Sequence, residues 1–212
     1  MTPNEIIGSL IYRTNNALNG NAKFLQAIRQ YEYYPALLHD DRLHLWHFPG
    51  TANEISDVFQ ELSKSTLFGA KLKFPAILNF QSVIQEHQKD FTVMRINLAI
   101  ITPVLDEWTT QVREEQAYKL VLKPIEDEFI RQVQRFRHFQ IPTGHYPYVS
   151  AYVPTTGKAL NSVMKFMYGD FVDAIELPNF TIKVLKTCED MSEIIESESI
   201  KVTEEIKKIV TR

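Results

Sequence analysis

Two neighbouring segments of the chain alternate between apolar and polar residues, and they are joined by only four polar residues, His87–Asp90. Successive side chains of a β-strand point to opposite faces, so each alternation predicts a strand with one apolar face. A connection this short joins antiparallel strands. The apolar faces are Ala76, Leu78, Phe80 and Ile84 in the first segment and Met94, Ile96, Leu98 and Ile100 in the second. The chain is therefore predicted to contain an antiparallel hairpin.

Helical patterns lie around this hairpin. The stretch Thr2–Glu5 (TPNE) has the side chains of a capping box, and the helix that it starts is predicted to end at Gly20. A short second helix is predicted over Ala22–Tyr31. Thr51 and Glu54 repeat the capping-box spacing ahead of a third helix. The apolar stripe of that helix is predicted to be Ile55, Val58, Phe59 and Leu62.

The longest helical pattern covers Trp108–Phe136 and has a proline at its centre. Its predicted buried stripe is Tyr118, Val121, Leu122, Ile125, Phe129, Val133 and Phe136. Pro124 lacks a backbone N–H and disfavours helical geometry at Lys123, so a kink or a split into two helices is predicted there. Trp108 is expected to pack inward, whereas Arg113 is expected to reach outward.

Three further strands are predicted from shorter patterns. Arg42–Phe48 alternates, and the Pro49–Gly50 pair after it is a turn signal. Phe171–Glu176 and Phe180–Leu185 are rich in β-branched and aromatic residues. Pro178–Asn179 separates them, which predicts a second hairpin.

Composition excludes several classes of protein. With 212 residues, 44% of them hydrophobic, the chain is long and apolar enough to fold. Its net charge of −3 gives no overall basic field for nucleic acid. Cys188 is the only cysteine, which excludes an intrachain disulfide and a cysteine-rich zinc site. The sequence has neither the roughly 18 apolar residues of a membrane span nor a secretory signal, so a soluble intracellular product is expected.

No arrangement of residues indicates chemistry. His44 and His47 would fall on opposite faces of a strand, a poor geometry for a shared metal. The acids Glu126–Glu128 follow Pro124 in a first helical turn, where the helix dipole favours them, and they are expected to face water. We expect no catalytic, cofactor or metal site. The alternative is a small metal-dependent hydrolase that uses His44, His47, Asp40 and Asp41.

The order of the elements resembles a family of viral structural proteins. The strands FPAILNFQSVIQEH and MRINLAIITP are followed by a helix that starts W-T-x-x-x-R, by LKPIEDEFIRQV and by DFVDAIELPNFTIKV. Over residues 2–185 this order is similar to tail-terminator and head–tail connection (neck) proteins of tailed bacteriophages, especially versions from phages of Bacteroides-like hosts. The motifs are packing and interface patterns rather than catalytic ones.

The resemblance implies an α+β fold with a mixed, mainly antiparallel sheet packed against helices. It implies a virion protein, assembled in the host cytoplasm, whose copies form a ring that joins or terminates assembly. DNA would pass through the lumen without sequence-specific binding, and the portal and other neck or tail proteins would be partners. No enzymatic activity, cofactor or membrane is implied. The chain is longer than compact terminators, so the layer of the neck or tail stays open, and a bacterial adaptor module without a ring is a further alternative.

A ring subunit needs two different surfaces that fit each other. The charged outer side of the long helix and the aromatic loop Tyr146–Tyr152 are the candidates, although a solvated surface would show the same pattern. The candidate interface residues are Arg113, Glu114, Lys119, Arg131, Arg135, Tyr146, Tyr148 and Tyr152.

The end of the chain differs in character from the rest. We place a boundary near residue 188, between an α+β domain over residues 1–188 and an arm over residues 189–212. Glu189–Glu198 contains acids and no base, whereas Lys201–Arg212 is mainly basic. Its few large apolar groups predict an arm that becomes ordered on a neighbouring subunit or another neck protein. The alternative is a segment that docks on its own domain.

Overall fold

The computed structural model describes residues 2–32, 37–39, 41–64, 73–105, 107–136, 139–141, 146–147, 149–152 and 171–185. The helices are α1 (Pro3–Asn19), α2 (Ala22–Ile28), α3 (Ala52–Lys64), α4 (Thr110–Arg113), a π-helix (Glu114–Leu122) and α5 (Lys123–Arg135). The strands are β1 (Leu38–His39), β2 (Arg42–Leu43), β3 (Trp46–Gly50), β4 (Ala76–His87), β5 (Phe91–Pro103), β6 (Phe139–Gln140), β7 (Val149–Tyr152) and β8 (Val172–Leu185). The predicted boundary near residue 188 and the arm lie outside the described residues.

Six strands form the main sheet, in the order β3-β4-β5-β8-β6, and β7 pairs with β8 on the same side as β6. Only β3 and β4 are parallel; the other pairs are antiparallel. Strands β1 and β2 form a separate two-stranded sheet. The α+β fold with a mixed, mainly antiparallel sheet packed against helices is thus confirmed. Among the described helices, none is long and apolar enough to cross a bilayer.

Strands β4 and β5 form the predicted hairpin, with His87 paired to Thr92 next to the connection. Burial alternates along the first half of β5 and becomes continuous from Leu98 to Pro103. The sheet is therefore covered on one face near the hairpin connection and on both faces at its other end.

The first face of the sheet is covered by α1, α4, the π-helix and α5. Asn79 of β4 donates to the Asn4 side chain of α1 over 2.8 Å. Ile182 of β8 belongs to the buried core beneath these helices. The second face is covered at its β3 edge by α3, where the rings of Phe48 and Phe59 lie 4.9 Å apart.

Both predicted capping boxes are present. The Thr2 N–H donates to the Glu5 carboxylate over 2.6 Å, and the Glu5 N–H donates back to the Thr2 hydroxyl. Thr51 and Glu54 make the same exchange ahead of α3. These hydrogen bonds from Thr51 lower the pKa of the Glu54 carboxyl. The predicted apolar stripe of α3 is wrong at one position, because Val58 is exposed.

The predicted strand Arg42–Phe48 is broken in the structure. The N–H groups of Leu43 and Leu45 donate to the side chains of Asn19 and Asn15 on α1, which replace strand partners there. The predicted Pro49–Gly50 turn is wrong. Both residues belong to β3 and pair with β4. This strand is at the edge of the sheet, where a proline with no N–H is tolerated.

The predicted second hairpin is also wrong, since Val172–Leu185 is one strand paired with β5 along its length. The register shifts between Ile96 and Leu98, which is where Asn179 adopts a positive φ of 51°. The Asn179 N–H donates to the Asn97 side chain over 2.8 Å. The Pro-Asn signal therefore produces a β-bulge and not a chain reversal.

Candidate functional site

The long helix changes its hydrogen-bond pattern at its centre instead of breaking. Residues Glu114–Leu122 are π-helical, and the Lys123 N–H donates to the Tyr118 carbonyl five residues earlier. Lys123 keeps helical angles of −66° and −44°, so the chain stays helical up to Pro124. Of the two predicted outcomes, a kink or a split, the split is wrong. The wider π-turns precede the proline, which then lies in the first turn of α5, where a missing N–H is tolerated.

Arg113 lies inside the subunit, with 3% of its surface exposed. The guanidinium donates to the Asp173 carboxylate over 2.8 Å, to the Trp108 carbonyl over 3.1 Å and to the Leu105 carbonyl over 3.4 Å. The expectation that Arg113 reaches outward is wrong, because these three acceptors lie on the inner side of the helix start. Trp108 packs inward as predicted, with its ring edge-on to Tyr31 at 5.9 Å.

A cleft of about 390 Å³ lies where the π-helix and α5 face β7 and β8. Its lining residues are Glu114, Tyr118, Lys119, Lys123, Pro124, Asp127, Ser150 and Ile175. The Tyr118 hydroxyl donates to the Ala174 carbonyl over 2.8 Å. Burial and the nearby charges of Asp173 and Glu114 raise the pKa of Tyr118, so its hydroxyl stays protonated and donates hydrogen bonds.

Two lysines line this cleft, and ion pairs fix the position of one of them, Lys123. Its ammonium pairs with the carboxylates of Glu126 and of Asp127, the latter at 3.1 Å. Burial lowers the pKa of Lys123, but the hydrogen bonds and charges of these two acids together outweigh it and raise the pKa. The cleft therefore contains charges of both signs, and the Lys123 amine stays protonated within its ion pairs.

The acids of α5 do not all face water, and that expectation is wrong for two of the three. Glu126 and Glu128 are buried, while Asp127 is exposed. Tyr146 donates its hydroxyl hydrogen to Glu126, and the Gln132 side chain donates to Glu128 over 2.6 Å. Buried carboxylates need such partners, so these two acids belong to the packing of α5.

The remaining predicted interface residues separate into two groups. Glu114 and Lys119 lie together at the cleft, whereas Arg131 and Arg135 are exposed in the last turns of α5. Tyr146 is half-buried. Tyr148 and the side chain of Tyr152 lie outside the described residues.

Of the eight lining residues, the predicted interface set contains only Glu114 and Lys119. It missed Tyr118, Lys123, Pro124, Asp127, Ser150 and Ile175. The i,i+4 spacing of Lys123 and Asp127 was a usable signal, because it predicts an ion pair on one helix face. Ser150 and Ile175 had no comparable signal. Their positions at the cleft depend on the pairing of β7 with β8.

The residues of the hydrolase alternative are dispersed among different contacts. His47 lies against α1, with its Nδ1 atom 3.4 Å from the position that a Cβ on Gly8 would occupy. Burial lowers the pKa of His47 to about 4. The His44 ring stacks on Trp46, and Asp41 pairs with Arg29 at 2.9 Å. Asp40 lies outside the described residues, and within them no three metal-ligating side chains come together.

No protein-family model, curated protein or solved structure matches the chain.

Proposed function

We propose that the protein is a structural subunit of an oligomeric ring at the head–tail connection or in the tail of a bacteriophage. The ring joins or terminates assembly and lets DNA pass, and its partners are the portal and other neck or tail proteins. Support comes from the order of sequence motifs and from the surface of the subunit. A cyclic ring is built from a heterologous contact, which uses two different patches on each subunit.

The observation on which the proposal depends is the position of two exposed valines. Among the described residues, Val58 and Val149 are the large apolar side chains left exposed, at 43% and 48%. Val58 is on α3, which packs on the β3 edge of the sheet. Val149 is on β7, at the opposite edge. A head-to-tail contact uses two dissimilar patches, and we place one at each of these edges.

Acidic residues lie near both valines. Glu54 and Glu61 lie one turn before and one turn after Val58 on α3, and both are exposed. At the other edge, Val149 is paired with Glu176 of β8, whereas the next residue, Ser150, points to the other face and lines the cleft with Lys119. Acids therefore lie near both valines, so the head-to-tail pairing is proposed from the two apolar side chains and not from a contrast of charge.

The proposal revises the set of interface residues. Glu114 and Lys119 line the cleft beside β7 and stay in the proposed contact surface at that edge. Arg113 does not belong to it, because its guanidinium is inside the subunit.

Mixing two variants tests this arrangement. Val58→Asp and Val149→Asp each destroy one patch, so neither variant alone should form the ring that the natural chain forms in native mass spectrometry. Each variant retains the patch that the other lacks. An equimolar mixture should therefore give one-to-one heterodimers and no rings. Gln60→Asp, also exposed on α3, is the matched control and should assemble normally.

Two results would contradict the proposal. The first is a natural chain that stays monomeric over the whole accessible concentration range. The second is normal assembly of both valine variants, which would show that these edges are not the contact surfaces.

A further inference from the structure

Three arginines from two helices surround the C-terminal end of α5. Arg131 and Arg135 have side chains that are 51% and 63% exposed. Arg13 of α1 places its guanidinium 4.2 Å from the centre of the Phe136 ring. We call Arg13, Arg131 and Arg135 the arginine cluster. Cations at the C-terminal end of a helix also stabilise its dipole.

One acid lies against two of these arginines. Glu128 pairs with Arg131 and lies 3.9 Å from Arg135. Among the described residues, Arg131 and Arg135 share the carboxylate of Glu128, so these two guanidinium groups carry one more positive charge than this acid neutralises. Guanidinium groups bind carboxylates in a two-pronged geometry, which makes an acidic peptide a suitable partner for this surface.

The chain itself supplies such a peptide at the right place. Val184, next to the last residue of β8, pairs with Phe139 of β6. The Phe139 ring in turn stacks on Phe136, with centres 5.0 Å apart. The end of β8 is therefore beside the arginine cluster. Glu189 follows Leu185 by four residues, a distance of at most about 14 Å in an extended chain.

We propose that the acidic segment Glu189–Glu198 binds the arginine cluster of its own chain. The acids of this segment are Glu189, Asp190, Glu193, Glu196 and Glu198, and it contains no lysine or arginine. Single exposed ion pairs are weak. A short tether, however, raises the effective concentration of the segment to about the millimolar range. Several individually weak ion pairs then form at the same time. The inference concerns a single chain and does not depend on ring formation.

Charge reversal on both sides tests the contact. The starting protein is the full chain with Cys188→Ser and Ser197→Cys, labelled at position 197 with a nitroxide whose spectrum reports local motion. The label should be partly immobilised at low salt and released at high salt. Arg131→Glu with Arg135→Glu should release it, and so should Glu193→Lys with Glu196→Lys. Combining all four changes should restore the immobilised component.

The controls separate a specific contact from other effects. Lys23→Glu with Lys89→Glu changes the net charge by the same amount as the arginine-to-glutamate variant, but at two exposed positions elsewhere. This control should leave the spectrum unchanged. If the arginine-to-glutamate variant does not fold, Arg131→Gln with Arg135→Gln replaces it. The proposal is overturned if the label is equally mobile in all variants, or if the fourfold exchange does not restore immobilisation. Immobilisation that grows with protein concentration would indicate binding between chains and would also overturn it.

Discussion

The Arg113 guanidinium and the Asp173 carboxylate lie 2.8 Å apart inside the protein, and this pair connects the start of the long helix to the start of β8. Sixty positions separate the two residues in sequence. The same guanidinium also binds two carbonyls of the preceding loop, at Leu105 and Trp108. One side chain thus fixes the position of the helix that lines the cleft.

Arg113→Ala should destabilise the fold by about 3 to 5 kcal/mol, because it leaves a buried carboxylate without its cation. Urea unfolding measures this loss. Arg29→Ala is the matched control, since it removes an arginine from the exposed pair with Asp41. That change should cost under about 1 kcal/mol. Equal, small losses in both variants would show that the Arg113 pair is not important for the fold.

Trp108→Ala should cost about 3 to 5 kcal/mol, as expected for removal of a large buried ring. The ring packs edge-on against Tyr31 and is almost fully buried. Trp46→Ala is the comparison, because Trp46 is only partly buried and should lose less. A loss under about 1 kcal/mol for Trp108→Ala with unchanged assembly contradicts the buried role.

Stability should fall as the pH is lowered from about 6.5 to about 4, because burial lowers the pKa of His47 to about 4. Over this pH range the unfolded chain binds a proton at His47 that the folded chain does not bind, so lowering the pH favours unfolding. The contribution is at most about 3 kcal/mol. Urea unfolding at several pH values should show a shallower pH dependence in His47→Gln. An unchanged pH dependence in that variant would contradict a buried, neutral His47.

Sequence patterns that span only a few residues predicted much of the fold. The two capping boxes and the hairpin at His87–Asp90 are confirmed, because each depends on hydrogen bonds between neighbours in sequence. Proline signals were less reliable. Pro49 and Pro178 lie within strands, since an edge position and a bulge accommodate them. Pro124 lies within a helix, since a π-turn precedes it.

The site was predicted only in part, for a physical reason. Helical spacing correctly placed Trp108 inward, but it could not place Arg113, whose partner is on a distant strand. Asp173 within the apolar run FVDAI was a signal of a buried acid that needs a cation. No sequence feature near Asp173 identified Arg113 as that cation. Glu126 likewise finds its partner Tyr146 through the tertiary fold.

The central claim is that the chain forms a closed ring, and electron microscopy of the purified protein tests it most directly. Class averages of the natural chain should show rings with a central opening and one rotational symmetry, and the native mass should be a whole multiple of 24.6 kDa above the dimer. A channel for double-stranded DNA requires a central opening that is wider than the duplex. Monomers or simple dimers at every concentration, or rings too narrow for a duplex, would contradict the account.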